Sequence, residues 1–169
     1  PAAFTGLNAT TSTIHWTWAL SNGAGSYQIF SSTGGHGQSP VLSAQTSFYT
    51  TVELPANTNY SFLVRALSCG QNTDSLAFAL STLPKPPLAL ARAFLAVSAS
   101  SMSVAWAALP ASPQAGSAEG YRLELSTAAD FTGVIASSAT LSVAASTLTL
   151  IDLLPNTTYY ARVAAINWA

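Results

Sequence analysis

Charge is what this sequence has least of. Asp, Glu, Lys and Arg make up only 7% of its 169 residues, and the formal net charge is −1, whereas roughly 25% of an ordinary soluble domain is charged. Electrostatic binding of nucleic acid needs a basic surface that displaces counterions, which five Lys and Arg residues cannot form. A polybasic membrane anchor and an acidic solvating tail are disfavoured for the same reason.

Cysteine and long apolar runs are also scarce. Cys69 is the one cysteine, so no disulfide can form within the chain. No signal-peptide pattern follows Pro1, and the signal of a secreted parent is expected outside this sequence. Although 49% of the residues are hydrophobic, only 88–108 resembles a membrane span. That segment contains Arg92 and several serines and partly alternates like a strand, so we predict no membrane insertion.

The sequence contains an internal repeat. Six positions of the first half recur in order in the second half: Leu7, Ile14 and Trp16 as Val97, Val104 and Trp106, and Tyr60, Val64 and Ala66 as Tyr159, Val163 and Ala165. Several prolines between the copies favour a short, semi-rigid connector. The repeat predicts two domains, 1–84 and 89–169, joined by a Pro-rich linker at 85–88.

Both copies carry the pattern of β-strands. Apolar and polar residues alternate over Ser12–Trp18 and again over Ser101–Ala108. Short runs of this kind recur at about ten-residue spacing, separated by turn residues such as Asn22-Gly23, and no segment shows sustained helical periodicity. We therefore predict an all-β chain of two tandem sandwiches with antiparallel strands.

A motif near the end of each copy resembles a known family. The segment 54–60, Leu-Pro-Ala-Asn-Thr-Asn-Tyr, and its counterpart 153–159, Leu-Leu-Pro-Asn-Thr-Thr-Tyr, are similar to the tyrosine corner that leads into strand F of fibronectin type III domains. The resemblance is to tandem, bacterial-type extracellular repeats and implies an immunoglobulin-like β-sandwich. It also implies the core residues, with one tryptophan on each strand B and one tyrosine on each strand C: Trp16, Tyr27, Tyr60, Trp106, Tyr121 and Tyr159.

The second copy departs from the family pattern at its end. After Tyr60 the chain has room for strand F, a loop over Cys69–Ser75 and strand G over Leu76–Thr82, but only ten residues follow Tyr159. We predict that the second sandwich lacks strand G and that strand F, Tyr159 to Asn167, has an open edge. Two explanations remain open. The sequence is a piece of a longer protein, or a neighbouring subunit supplies the strand.

Candidate catalytic residues do not form a recognisable pattern. His15 and His36 are predicted to be exposed bystanders, Cys69 heads a loop without an indicated base, and the carboxylates are scattered. The glycine-rich stretch 34–37 lacks the helix, lysine and hydroxyl of a phosphate loop. We predict no catalytic, metal-binding or cofactor-binding site. Glycosylation acceptor patterns begin at Asn8, Asn59 and Asn156, and such patterns arise easily by chance in a chain of this composition.

The outer sheet faces provide a candidate contact surface. Strand alternation predicts that two apolar groups face outward, one in each domain: Phe30, Leu63 and Leu67, and Tyr160, Ile166 and Trp168. The alternative is that a neighbouring domain or loops cover them. Glycan binding would need exposed aromatic residues on one face, and the sequence does not decide the orientation of Tyr49, Trp18 and Trp168.

These patterns favour a non-catalytic function. The leading hypothesis is an extracellular or cell-surface spacer, scaffold or adhesive repeat that packs against other domains or copies of the same protein through neutral sheet faces and edges. One alternative is a self-assembling filament or pilus-like subunit completed by a strand from a neighbouring chain. Another is an accessory module of a secreted polysaccharide-degrading enzyme. Fold alone does not decide between them.

Overall fold

The described residues form fourteen β-strands, in keeping with the alternation of apolar and polar side chains in the sequence. The computed structural model describes residues 1–7, 9–32 and 36–168, without the side chains of Val134 and Ile135. Asn8 and Gly34-Gly35 therefore lie outside the described residues. The chain divides into two units, Pro1–Leu83 and Pro84–Asn167.

The first unit is a sandwich of two antiparallel sheets. One sheet has the order β1-β2-β5, and the other has the order β4-β3-β6-β7, with β8 also paired to β6. The strands are β1 (Ala2–Leu7), β2 (Ile14–Ala19), β3 (Ser26–Ser31), β4 (Leu42–Ser43), β5 (Phe48–Thr51), β6 (Asn59–Leu67), β7 (Asn72–Asp74) and β8 (Phe78–Ser81).

The second unit repeats this arrangement with fewer strands. Its sheets have the orders β13-β10-β9 and β12-β11-β14 in the part of the chain that the structure describes. Its strands are β9 (Leu88–Val97), β10 (Met102–Ala107), β11 (Gly120–Ser126), β12 (Val134–Thr140), β13 (Thr147–Leu150) and β14 (Tyr160–Ile166). A short 3-10 helix, Gln114–Gly116, precedes β11. Leu88, which the sequence assigns to the linker, is the first residue of β9.

Aromatic packing dominates the core of the first unit. Trp16 is fully buried, and its ring lies 5.3 Å from that of Phe4 and 5.0 Å from that of Phe62. The Trp16 indole Nε1 donates a 3.0 Å hydrogen bond to Thr51 Oγ1. Trp16 thus contributes apolar area while its polar atom is satisfied. Tyr27 is fully buried as well.

The core of the second unit is more aliphatic. Leu123 and Leu125 of β11 are fully buried against Met102 and Val104 of β10. Tyr121 is also fully buried, and its ring lies 5.1 Å from that of Trp106.

The two strands B correspond differently from the sequence prediction. The backbone N–H of Trp18 donates to Ser47 O, as that of Trp106 donates to Ser146 O, and each tryptophan ring packs on the buried tyrosine of strand C. Trp106 is therefore the counterpart of Trp18. The sequence comparison, which made Trp106 equivalent to Trp16, is wrong by two residues. Val104 takes the place of Trp16, because it pairs with Leu148 of β13 as Trp16 pairs with Tyr49 of β5.

Strand G of the first unit also differs from the prediction. The segment Cys69–Ser75, predicted to be a loop, contains β7, and Leu76–Thr82 contains only the shorter β8. Two hydrogen bonds hold β7, from Arg65 Nε to Asp74 Oδ1 at 2.6 Å and from Arg65 Nη2 to Asp74 Oδ2 at 2.8 Å. Hydrogen bonding from Arg65 lowers the pKa of the Asp74 carboxyl.

A substitution at Gly120 tests whether β11 and the chain at the end of β12 must approach as closely as the structure shows. Its φ is +157°, and a Cβ at this position would lie 2.0 Å from the backbone oxygen of Thr140. We expect Gly120→Ala to lower the unfolding free energy of the second unit by at least about 2 kcal/mol, since backbone must move to admit the methyl group. The control is Gly133→Ala, because nothing lies within 4 Å of a Cβ there. Equal urea midpoints for the two variants would contradict this close approach.

Candidate interaction surface

Strand β14 is paired along one edge. Its seven residues pair antiparallel with β11 from Ser126↔Tyr160 to Gly120↔Ile166, and no strand within the described residues pairs with the opposite edge. The equivalent strand of the first unit, β6, pairs with β3 on one side and with β7 and β8 on the other. An unpaired edge exposes backbone N–H and C=O groups that can accept another strand.

In the first unit β8 occupies the corresponding edge. Phe78 lies opposite Phe62 and Leu80 lies opposite Tyr60. Leu80 also closes the gap toward β1, since its Cδ2 lies 3.1 Å from the place where a Cβ of Gly6 would stand. Strand β8 therefore completes the β6 edge and covers the core between the two sheets.

In the second unit an open groove lies between β9 and β14. Its volume is about 270 Å³, and its walls include Phe94, Val104, Trp106, Ala161 and Val163. Because Phe94 pairs with Val104 on β10 as Gly6 pairs with Trp16 on β2, Phe94 takes the place of Gly6. The Phe94 side chain is 50% exposed, although its cross-strand partner Val104 belongs to the core.

Strand β14 shows the effect of the groove on burial. Phe62 and Val64 of β6 are 1% and 0% exposed, whereas their counterparts Ala161 and Val163 are only half-buried. The counterparts follow from pairing, because Val64 lies opposite Ile29 and Val163 lies opposite Leu123. Side chains that face the core of a finished sandwich are thus partly accessible here.

A second cleft lies beside Tyr159, the residue before β14. It has a volume of about 320 Å³ and is lined by residues that include Met102, Leu153 and Tyr159. In the first unit, the chain after β8 is bonded at the corresponding corner. There Thr82 N donates to Thr58 O at 3.1 Å, and Leu83 N donates to Thr10 O at 2.8 Å.

The tyrosine corner of the second unit matches the arrangement that the resemblance implies. Leu154 N donates a 2.9 Å hydrogen bond to Tyr159 Oη. The first unit has Pro55 at the position of Leu154, five residues before the tyrosine, and proline has no N–H to donate. The Tyr60 hydroxyl instead bonds with Thr58, while burial is the larger influence and raises the Tyr60 pKa.

The predicted contact group of the first unit is partly covered. Phe30 and Leu63 are cross-strand neighbours, but with Leu67 they are half-buried, not exposed. The Arg65 guanidinium carbon lies 4.8 Å from the Phe30 ring centroid, and Asp74 holds that arginine. This cation–π contact leaves less apolar surface than the sequence indicates.

The predicted contact group of the second unit is not contiguous. Tyr160 is 44% exposed, Ile166 is half-buried at the other end of β14, and Trp168 is exposed beyond it. Between the first two, Arg162 Nε contacts Glu124 Oε2 at 2.6 Å. The accessible apolar surface lies instead on the inner side of β14, in the groove. The predicted absence of strand G would imply such exposure, and it is the signal that could have identified Phe94.

The remaining candidate side chains have structural contacts. His15 Nδ1 lies 2.9 Å from Thr50 Oγ1, and His36 lies beside the Tyr60 ring at 6.0 Å, so both histidines are half-buried instead of exposed. Trp18 is buried, which removes it as a glycan platform, and Tyr49 is half-buried. Cys69 is exposed.

Within the described ranges, no three His, Cys, Asp or Glu residues are grouped so as to hold a metal ion. No described helix has the length and hydrophobicity needed to cross a membrane.

Comparison with known proteins identifies the architecture. Residues 86–169 match the model of the fibronectin type III domain. The two-domain fibronectin type III segment of chicken tenascin superposes at a TM-score of 0.52 with 16% identity, covering 99% of this chain and 91% of that one. Residues 86–169 therefore carry the sequence pattern of the fibronectin type III family, and both units share the tandem fibronectin type III fold. The predicted family and the all-β fold class are confirmed.

Further similarity is weaker. The FN1–FN3 segment of chicken CNTN1 has 20% identity and a TM-score of 0.48, over 99% of this chain and 59% of that one. No curated protein matches this chain in sequence. Fibronectin type III domains are typically non-catalytic structural or adhesion modules and are commonly extracellular. Strand G is absent from the described residues of the second domain. Its absence from the domain as a whole stays a prediction.

Tyr159 tests the stability contributed by its corner. We expect Tyr159→Phe to lower the unfolding free energy of the second domain by about 1 kcal/mol, because the Leu154 N–H loses its intramolecular acceptor. Urea unfolding followed by tryptophan fluorescence measures the change. The matched control is Tyr160→Phe, which removes an exposed hydroxyl from the next residue. A loss of equal size in the control would show that the corner bond contributes nothing measurable.

The raised pKa of Tyr60 predicts that the stability of the first domain falls at alkaline pH. Its folded pKa is raised by burial above the ordinary value of 10.0, so the unfolded chain loses this proton first as pH rises. The stabilising contribution is full below about pH 10 and is lost as pH increases through the folded pKa. Unfolding midpoints between about pH 9 and 11 should fall more steeply for the native protein than for Tyr60→Phe. Identical slopes would contradict the raised pKa.

Proposed function

We propose that this tandem pair is a non-catalytic structural module, a spacer, scaffold or adhesive repeat, of an extracellular or cell-surface protein. The observation that carries the proposal is the edge of β14 that no strand within the described residues pairs, beside an apolar groove. Its partners are other domains or copies of the same protein, which contact the neutral sheet edge. No chemical step is required of any side chain.

Low charge supports this mode of contact. With a formal net charge of −1 and 7% charged residues, little charge has to be desolvated or repelled when two such surfaces meet. An apolar side chain is also accessible in the groove beside β14, where Phe94 of β9 is 50% exposed. Contiguous accessible apolar surface of this kind usually marks a contact.

The same edge favours a second candidate, a filament or pilus-like subunit. In this arrangement a strand from a neighbouring chain pairs with β14 and completes the second sandwich. Such a head-to-tail contact uses different surfaces on the two partners, so it extends into a filament unless the rotation between copies closes a ring. A contact of one edge with the same edge of a second copy would stop at a dimer.

Self-association tests the proposal. We expect sedimentation velocity to show concentration-dependent association of the purified chain, because the β14 edge and groove bury apolar surface on contact. Phe94→Ser should weaken this association, whereas the matched control Phe48→Ser, at a 57% exposed position of β5, should not. Electron microscopy then separates the two candidates, since ordered fibres support the filament and discrete oligomers support the scaffold. A monomer at all accessible concentrations would contradict association between copies.

A further inference from the structure

We propose that Asn22 is a modification site, at which the backbone nitrogen of Gly23 displaces the side-chain amide and water then converts the residue to aspartate or isoaspartate. The site lies in the turn between β2 and β3 of the first domain. This inference goes beyond the proposed structural role, because it concerns a covalent change that accumulates with the age of the chain.

The residue that follows Asn22 distinguishes it from the other asparagines. Of the seven asparagines in the sequence, Asn22 alone precedes a glycine, whereas the others precede Ala, Thr, Tyr or Trp: Asn8, Asn57, Asn59, Asn72, Asn156 and Asn167. A side chain on the following residue crowds the approach of its backbone nitrogen to the asparagine side chain, and glycine has no such side chain. The sequence therefore selects Asn22 for this reaction.

The turn leaves both reacting groups accessible. Asn22 and Gly23 are exposed, and nothing lies within 4 Å of the place of a Cβ on Gly23, whose φ is +79°. The hydrogen bond of the turn runs from Ala24 N to Ser21 O at 3.2 Å, so it uses neither the Asn22 side chain nor the Gly23 N–H. Among the described residues, none shares a hydrogen bond with the Asn22 side chain. The folded turn therefore does not tie down the amide that has to leave.

The reaction balances with water as its one co-reactant. A bond forms between the Gly23 nitrogen and Asn22 Cγ, and the bond from Cγ to the amide nitrogen breaks. The amide nitrogen leaves as ammonia with the proton of the Gly23 N–H, and a cyclic imide remains. Water then adds to one imide carbonyl carbon, the ring C–N bond at that carbon breaks, and the ring nitrogen regains a proton. Opening at Cγ gives aspartate, whereas opening at the main-chain carbonyl gives isoaspartate.

Hydrogen bonds on both sides of the turn indicate what the product disturbs. Ser21 N donates to Tyr27 Oη at 2.6 Å, and Gly25 N donates to Leu67 O at 2.8 Å. Isoaspartate lengthens the backbone between these two fixed points by one carbon atom, because its main chain runs through the side chain. The product also adds one negative charge to a chain whose formal net charge is −1. We therefore expect the bond from Ala24 to Ser21 to be lost in the isoaspartate form.

The second domain provides a comparison within the same chain. Leu109 N donates to Tyr121 Oη at 2.6 Å, as Ser21 N donates to Tyr27 Oη. The connection from Leu109 to β11 contains no asparagine. The same corner is thus present in both domains, and only the first carries the reactive pair.

Incubation of the purified full chain at mildly alkaline pH, followed by peptide mapping with mass spectrometry, tests the proposal. We expect Asn22 to convert at least about tenfold faster than the exposed Asn59 and Asn156, since glycine follows only Asn22. Conversion in the folded chain should be within about tenfold of that in urea, because the exposed turn opens at little cost. The matched control Asn22→Gln should show no conversion at this position.

Amide exchange on the aged protein measures the structural consequence. We expect faster exchange at Ala24 and Ser21 in the isoaspartate form and unchanged exchange at Leu109. Conversion of Asn22 no faster than that of Asn59, or conversion confined to the unfolded chain, would overturn the proposal. Unchanged exchange at Ala24 would overturn the predicted effect on the turn. These measurements follow single chains, so their outcome is independent of self-association.

Discussion

A strand inside a sandwich needs hydrogen-bond partners on both edges and cover for its inward face. The two domains differ most in how far strand F, β6 in the first domain and β14 in the second, meets this requirement. In the first domain β6 has β3 on one edge and β7 and β8 on the other. Its inward residues Tyr60, Phe62 and Val64 are consequently buried. In the second domain β14 has only β11 in the described residues, and the same inward positions are half-buried.

The unmet requirement explains why accessible apolar surface lies where it does. The outer faces that alternation marks as apolar are interrupted by ion pairs, Arg65 with Asp74 in one domain and Arg162 with Glu124 in the other. The groove beside β14 has no such cover, and Phe94 remains half exposed on its wall. The proposed contact therefore rests on the edge and the groove and not on either outer face.

Local pattern was sufficient for much of the architecture. The tandem organisation, the antiparallel strands and the tyrosine motif before strand F were all predictable, because each depends on residues close together in sequence. The predicted equivalence of Trp106 and Trp16 in the two repeats was wrong for a physical reason. A shift of two residues along a strand keeps every side chain on the same face, so alternation cannot distinguish the two alignments. Cross-strand partners of Trp18 and Trp106 decide it.

The open edge at Tyr159 to Asn167 was expected from sequence spacing and stays a prediction beyond the described residues. The groove depended on tertiary structure, because one wall comes from β9 and the other from β14, which are far apart in sequence. Only the packing of the two sheets decides that Phe94, Val104 and Val163 line one space. The ion pairs that divide the predicted outer patches likewise come from neighbouring strands, whose register local alternation does not specify.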